Sequence, residues 1–215
     1  ILGLGKKQGG EDDGFAFTDY NVVTNAWHYA ALKQMEGIAG ALGKQDDVAF
    51  YASESDAFKK RFIRSFFDVR KGYFTDGLAA DTDHASLHGN MFPLAFDLVP
   101  AGKKQNVVDF IQTRGMACSV YGSQFLMDAL YEANDAEYAL HMLTKTDDRS
   151  WYNMIRVGST ISLEAWDNKY KPNQDWNHAW GAAPANIIPR RLMGVEPLTP
   201  GFGTARIKPQ LASLE

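Results

Sequence analysis

Cysteine is nearly absent from this 215-residue chain. The single thiol, Cys118, excludes an internal disulfide and leaves the redox compartment open. No activating base neighbours it in sequence, so a small buried apolar residue is the expected role. Positive charge is not in excess either. The formal net charge is −4, the signs are interleaved, and no basic stripe exists to track a phosphate backbone. No apolar run approaches the roughly 18 residues of a membrane span. These absences argue against nucleic-acid and membrane partners. There is no signal peptide, but the chain opens Ile1-Leu2-Gly3 rather than with Met, so it reads as a cut piece and says nothing about export.

What is abundant is aromatic. Aromatic residues make up 13% of the chain, and three of the five tryptophans fall between 166 and 180. There the sequence reads Thr160-Ile161-Ser162-Leu163-Glu164-Ala165-Trp166-Asp167 and then Trp176-Asn177-His178-Ala179-Trp180-Gly181. Indole faces offer flat C–H surface to a sugar ring, and a carboxylate beside them offers a titratable group. Each tryptophan taken singly is as well read as a core residue with its N–H satisfied. The cluster makes Glu164 the first candidate, with Trp166, Trp180 and His178 around it. Burial beside Trp166 is expected to raise the Glu164 pKa. Asp175 is expected to cap a final helix and Asp167 to hold its loop. Trp180 follows His178 by two, so on a helix the two side chains would point apart.

The rest of the pattern is helical. Val22, Ala26, Tyr29, Met35, Ile38, Ala39 and Leu42 recur at helical spacing and stop at Gly43. A second helix carries Tyr51, Ser55, Phe58 and Phe62, and a turn follows at Lys71-Gly72-Tyr73. A third carries Leu87 to Leu98 with Pro93 as a kink. Further helices carry Val107, Val108 and Ile111; then, from Ser119, Phe125 to Leu130; then, from Asp135, Ala139 to Leu143. Residues 149–174 read as loop. A last helix begins near Asp175, broken at Pro184 and Pro189, and a turn with a short strand ends the chain. Residues 41–51, 98–110 and 132–140 repeat one theme of helix end, breaker and new helix, which is an αα-hairpin turn. Successive helical hairpins fit an all-α toroid or solenoid, and a bundle stays open on periodicity alone. Asp81, Asp83, His84 and His88 place two histidines one helical turn apart. Metal ligation uses such spacing, but no further His/Cys motif joins it, so no metal is expected and His84 is read as lining a pocket at a helix start. Asp19 and Tyr20, before the first helix, are read the same way, with capping as the alternative.

The run 159–167, its continuation Lys171-Pro172-Asn173-Gln174-Asp175-Trp176-Asn177-His178-Ala179-Trp180-Gly181, and then 187–195 and 200–202 resemble the bacterial α-L-rhamnosidase family of inverting glycoside hydrolases. Asn21 to Tyr29, which includes Trp27, and Phe92 to Pro100 are similar to further segments of it. The resemblance covers about residues 15 to 209. It implies an (α/α)6 six-hairpin toroid, here a partial ring of about seven helices with a short C-terminal strand. It implies hydrolysis of terminal α-L-rhamnosides with inversion and no cofactor. Glu164 takes the place of the water-activating general base, His178 falls in the sugar pocket, and Trp166, Trp180, Asp19, Tyr20, Trp27 and His84 become candidate contacts to a rhamnose-containing oligosaccharide or glycoside. The family's general acid belongs to an acidic, arginine-rich motif that this sequence lacks, so the chain is expected to be a nearly inactive C-terminal piece whose parent supplies N- and C-terminal domains. The expected division is a loop or linker over 1–20, the partial catalytic domain over 21–200 and the start of a β segment over 201–215. The substrate class favours the periplasm or exterior and leaves the cytoplasm open. Another six-hairpin glycosidase, a polysaccharide lyase and a non-catalytic sugar-binding piece are the competing readings.

Overall fold

A computed structural model describes residues 11 and 13–214, so the part of the 1–20 loop expectation on residues 1–10 and 12 lies outside the described residues. The described residues pack as two compact units, one over 15–111 and the other formed by 112–214 with residues 11, 13 and 14. The described residues are mostly helical, with eight α-helices and four short strands.

In the unit over 15–111, α1 (Val22–Ala41) starts where Asn21 caps it, its Oδ1 accepting the Thr24 N–H at 2.8 Å. It stops at Gly43, whose φ of 72° few other residues adopt at no cost. α2 (Gln45–Phe66) runs back against α1. One face of α1 is buried through Val22, Ala26, Tyr29 and Ala39, whereas Met35, Ile38 and Leu42 are exposed. Helical spacing identified both sets as apolar without telling which one is covered. Phe62 of α2 meets Phe66 and Phe74 in an aromatic core. β1 (Phe67–Asp68) and β2 (Tyr73–Phe74) form the hairpin at the expected turn. α3 (His88–Ala95) carries Pro93 inside it, and α4 (Lys104–Arg114) follows the break at Gly102.

Two polar side chains buried in this unit, Asp76 and Asn90, are each held by several hydrogen bonds. Asp76 is completely buried. Its Oδ1 accepts the N–H and hydroxyl of Ser86 at 2.9 and 2.7 Å, and its Oδ2 accepts the Ala16 N–H at 2.9 Å and faces His84 Nδ1 at 2.6 Å. Asn90 exchanges hydrogen bonds with the backbone of Phe74 on both its amide atoms. A buried carboxylate needs this many donors to offset its lost hydration.

In the other unit, Ser119 caps α5 (Val120–Glu132) through the Gly122 N–H at 3.1 Å. Asn134, with φ of 60°, turns the chain into α6 (Ala136–Thr144). The expected loop over 149–174 contains a helix, α7 (Trp151–Arg156), capped by Ser150. Six residues are too few to display a period in the sequence. The expected last helix is three short pieces, a 3-10 turn at Ala179–Ala182, α8 (Ala183–Ile187) and a π-helical turn at Ile188–Leu192. Pro184 and Pro189, which lack an N–H, fall at the start of the second and third pieces, where none is needed. Arg190 and Arg191 of that last turn bind the Asp128 carboxylate of α5 at 2.5 and 2.7 Å. β3 (Val195–Pro197) and β4 (Ala205–Ile207) make the C-terminal hairpin. Cys118 is fully buried, and burial pushes its thiol pKa well up.

Candidate active site

The segment after α7 turns at Gly158 and then alternates. Leu163, Ala165 and Trp166 are buried, while Glu164 faces outward with its side chain 11% exposed. Trp166 anchors the segment from behind. Its indole N–H donates to the Cys118 carbonyl at 2.7 Å and its ring meets Trp151 edge-on. Asn153 of α7 donates to the Trp166 carbonyl and to Asp167 Oδ2 at 2.9 and 3.0 Å. Asp167 thus holds the loop, and the Asn153 bond draws its pKa below the usual value. Trp166 is fully enclosed and presents no face to a sugar, which differs from its reading as a contact residue.

A second strand-like segment, 174–178, zips onto 162–165. The Glu164 N–H donates to the Asp175 carbonyl at 3.0 Å, and the His178 N–H donates to the Ser162 carbonyl at 2.9 Å. The Ser162 hydroxyl returns a bond to the His178 carbonyl at 2.8 Å, and Gln174 Oε1 accepts the Ala165 N–H at 2.9 Å. Gly181 makes this closure possible. A Cβ there would lie 2.4 Å from the Leu163 carbonyl oxygen, a separation that real side chains do not tolerate.

The two segments bring Glu164, Asp175, His178 and Trp180 together. Lys171 Nζ sits on Glu164 Oε1, and the Asp175 N–H donates to Oε2 at 3.0 Å. The Lys171 bond, then the Asp175 N–H, hold the Glu164 pKa below the ordinary glutamate value. This reverses the expected rise, because the carboxylate is turned away from the Trp166 pocket and onto donors. Asp175 does not cap the helix. His178 occupies that position, and the Asp175 side chain instead lies 3.5 Å from His178 Nδ1. Since His178 is extended (φ −129°, ψ 117°) rather than helical, its ring reaches Trp180 after all, with centroids 4.1 Å apart. Trp180 also donates its indole N–H to the Glu164 carbonyl at 3.1 Å and leans on Tyr121. Ligand atoms of Glu164, Asp175 and His178 lie within 4.8 Å of one another, a spacing open to a metal ion, yet Lys171 already gives Glu164 a cationic partner. Glu11 accepts the Trp166 N–H at 3.2 Å, and burial raises its pKa.

The remaining candidates belong to the unit over 15–111. Asp19 and Tyr20 are exposed ahead of α1. Trp27 stands on α1 against Phe92 and Phe96. His84 lies in a loop, with only His88 inside α3, so the two are not helical neighbours. Asp76 fixes the His84 ring instead. Lys171, Gln174 and Asp76 were not singled out from sequence. For Lys171 the one available signal was its seven-residue separation from Glu164 within the same motif.

Residues 5–192 match the family model described as bacterial α-L-rhamnosidase six-hairpin glycosidase domain. The chain is 27% identical to an α-L-rhamnosidase of Alteromonas sp. (strain LOR), over 91% of this chain and 22% of that protein. Among solved structures it is similar to an α-L-rhamnosidase from Aspergillus terreus, with a TM-score of 0.76 at 20% identity, covering 94% of this chain and 24% of the other. It is also similar to the Streptomyces avermitilis α-L-rhamnosidase complexed with L-rhamnose, with a TM-score of 0.71 at 19% identity over 95% of this chain and 20% of that one. The chain thus spans between a fifth and a quarter of the length of these relatives.

Proposed function

Because this chain belongs to the bacterial α-L-rhamnosidase six-hairpin glycosidase family, we propose that it is part of the catalytic domain of a glycoside hydrolase that removes terminal α-L-rhamnosyl groups with inversion. Glu164 is the general base. Its fixed and ionised carboxylate, facing outward beside an imidazole and a half-exposed indole, is the observation that carries the reading. In this mechanism Glu164 takes a proton from water as the water attacks the anomeric carbon, and a carboxylic acid on the opposite ring face protonates the leaving oxygen. The two carboxyl groups then stand roughly 6.5–9.5 Å apart with the water between them, and no cofactor is needed. Both Glu164 oxygens keep a lone pair for that water, since each carboxylate oxygen can accept more than one bond.

His178 hydrogen-bonds a rhamnose hydroxyl and Trp180 packs on the sugar's C–H surface. Asp19, Tyr20, Trp27 and His84 remain candidate sugar contacts on the family resemblance alone, while Trp166 supports Glu164 from the core. The partial catalytic domain over 21–200 would be completed by a general acid from outside this chain, which spans between a fifth and a quarter of the length of its relatives.

The test is nitrophenol release from nitrophenyl α-L-rhamnoside by the full-length protein and by this chain, side by side. The full-length protein is expected to turn over and the chain to be nearly inactive, because losing acid catalysis costs about 10²–10⁴-fold. Glu164→Gln in the full-length protein should lower kcat by a similar factor, and NMR of the first-formed sugar should show the β anomer. A full-length protein inactive on the rhamnoside, or one that tolerates Glu164→Gln, would overturn the reading.

A further inference from the structure

The base assigned above does not stand alone, and its neighbours are unevenly charged. Ligand atoms of Glu164, the Asp175 carboxylate and His178 lie within 4.8 Å of one another, and Lys171 sits on Glu164 Oε1. The Asp175 backbone N–H holds one carboxylate oxygen, and among the described residues Lys171 is the one that brings a fixed positive charge to the other. The lysine is placed by local structure. The Tyr170 and Lys171 N–H groups both donate to the Asp167 carbonyl, at 3.0 and 3.4 Å, and the Gln174 N–H donates to the Lys171 carbonyl at 3.1 Å. Pro172 keeps the Lys171 backbone out of the helical region. The chain therefore doubles back, and the ammonium returns to Glu164 from the solvent side, its side chain 43% exposed against 11% for the glutamate.

Most exposed ion pairs contribute little. This one differs because its acidic half is mostly enclosed and gripped at a second point by a backbone N–H. Two-point fixing sets the plane of the carboxylate, which a water-activating base needs if the remaining lone pairs are to aim at one place. We propose that Lys171 is the positioning residue of Glu164, orienting its carboxylate and balancing its charge against Asp175. The inference rests on the reading of Glu164 as the general base. Lys171 touches the base and not the sugar, so its removal should affect turnover and spare substrate affinity.

The test compares Lys171→Met and Lys171→Arg in the full-length protein by pH-dependent kinetics on nitrophenyl α-L-rhamnoside. Lys171→Met should lower kcat on the order of tenfold at neutral pH, the scale of one charge-assisted hydrogen bond. KM should stay within about twofold, as expected when ground-state binding is untouched. The acid limb of the kcat/KM profile should move to higher pH, since the lysine holds the glutamate ionised. Lys171→Arg, which keeps the charge, should restore both the limb and most of kcat. An unmoved acid limb with unchanged kcat would overturn the inference while leaving the large Glu164→Gln loss, and so the base, in place. A rise confined to KM would also overturn it, since that marks contact with substrate. Wild-type protein inactive on the rhamnoside would bring down the base assignment and this inference together.

Discussion

The two units hold polar groups in different ways. The unit over 15–111 is built from long helices, 20 residues in α1 and 22 in α2, and it buries one carboxylate, Asp76, under donors from three residues. The unit over 112–214 is built from short helices and turns, and its central carboxylate, Glu164, is mostly but not fully enclosed and is held by one lysine and one backbone N–H. Both acids are hydrogen-bonded at both oxygens. The difference is that Asp76 has no route to solvent, so its bonds serve the fold, whereas Glu164 keeps an open side for chemistry.

Replacing each acid separates these roles. Asp76→Ala strands the buried Ser86 donors and the part-buried Ala16 N–H, at about 1–3 kcal/mol for each unsatisfied group, read as a lower urea midpoint. Glu164→Gln should leave that midpoint almost unchanged. If both substitutions unfold the protein equally, the contrast fails.

Trp166→Phe keeps most of the apolar bulk and deletes the donor to the Cys118 carbonyl, leaving a buried acceptor unmet. A loss of about 1–3 kcal/mol is expected, with a fall in kcat as the Glu164 segment loosens. Unchanged melting with unchanged turnover would show that the anchor is dispensable.

Glu11→Gln is expected to act the other way. Burial raises the Glu11 pKa in the folded state, so ionising it at neutral pH costs stability, and the cost vanishes once the pH falls below the unfolded value. The glutamine variant, which keeps an acceptor for the Trp166 N–H, should melt higher than wild type at neutral pH and lose that advantage in acid. Asp167 has the opposite sign. Its depressed pKa contributes stability above the ordinary carboxylate range, lost as pH drops through the folded value.

The smallest effect should come from Lys169→Gln, which removes an exposed pair with Asp148. The melting temperature is expected to be almost unchanged, because exposed pairs are screened by water and salt. A clear drop would mean that the loop after Asp167 depends on that pair.

Legibility from sequence follows the same divide. Long helices with repeated apolar steps, glycine stops and Asn or Ser caps were readable because each signal is local. The aromatic and acidic motif was readable too, as composition, and the family resemblance rested on it. What could not be read was geometry made by distant partners. The Glu164 pKa direction depends on Lys171 reaching back, and the His178–Trp180 contact depends on an extended backbone at 178. The enclosure of Trp166 depends on the Cys118 carbonyl, 48 positions away. Short elements such as Trp151–Arg156 carry too few residues for a period to show.

The lone thiol offers a clock. Cys118 is sealed in the core with its ionisation suppressed, and its own carbonyl is the acceptor that tethers Trp166. A thiol-selective alkylating reagent can therefore modify this chain at one atom, and only during moments when the wall behind Glu164 opens. The rate of that single labelling event counts those openings directly, without a probe being introduced.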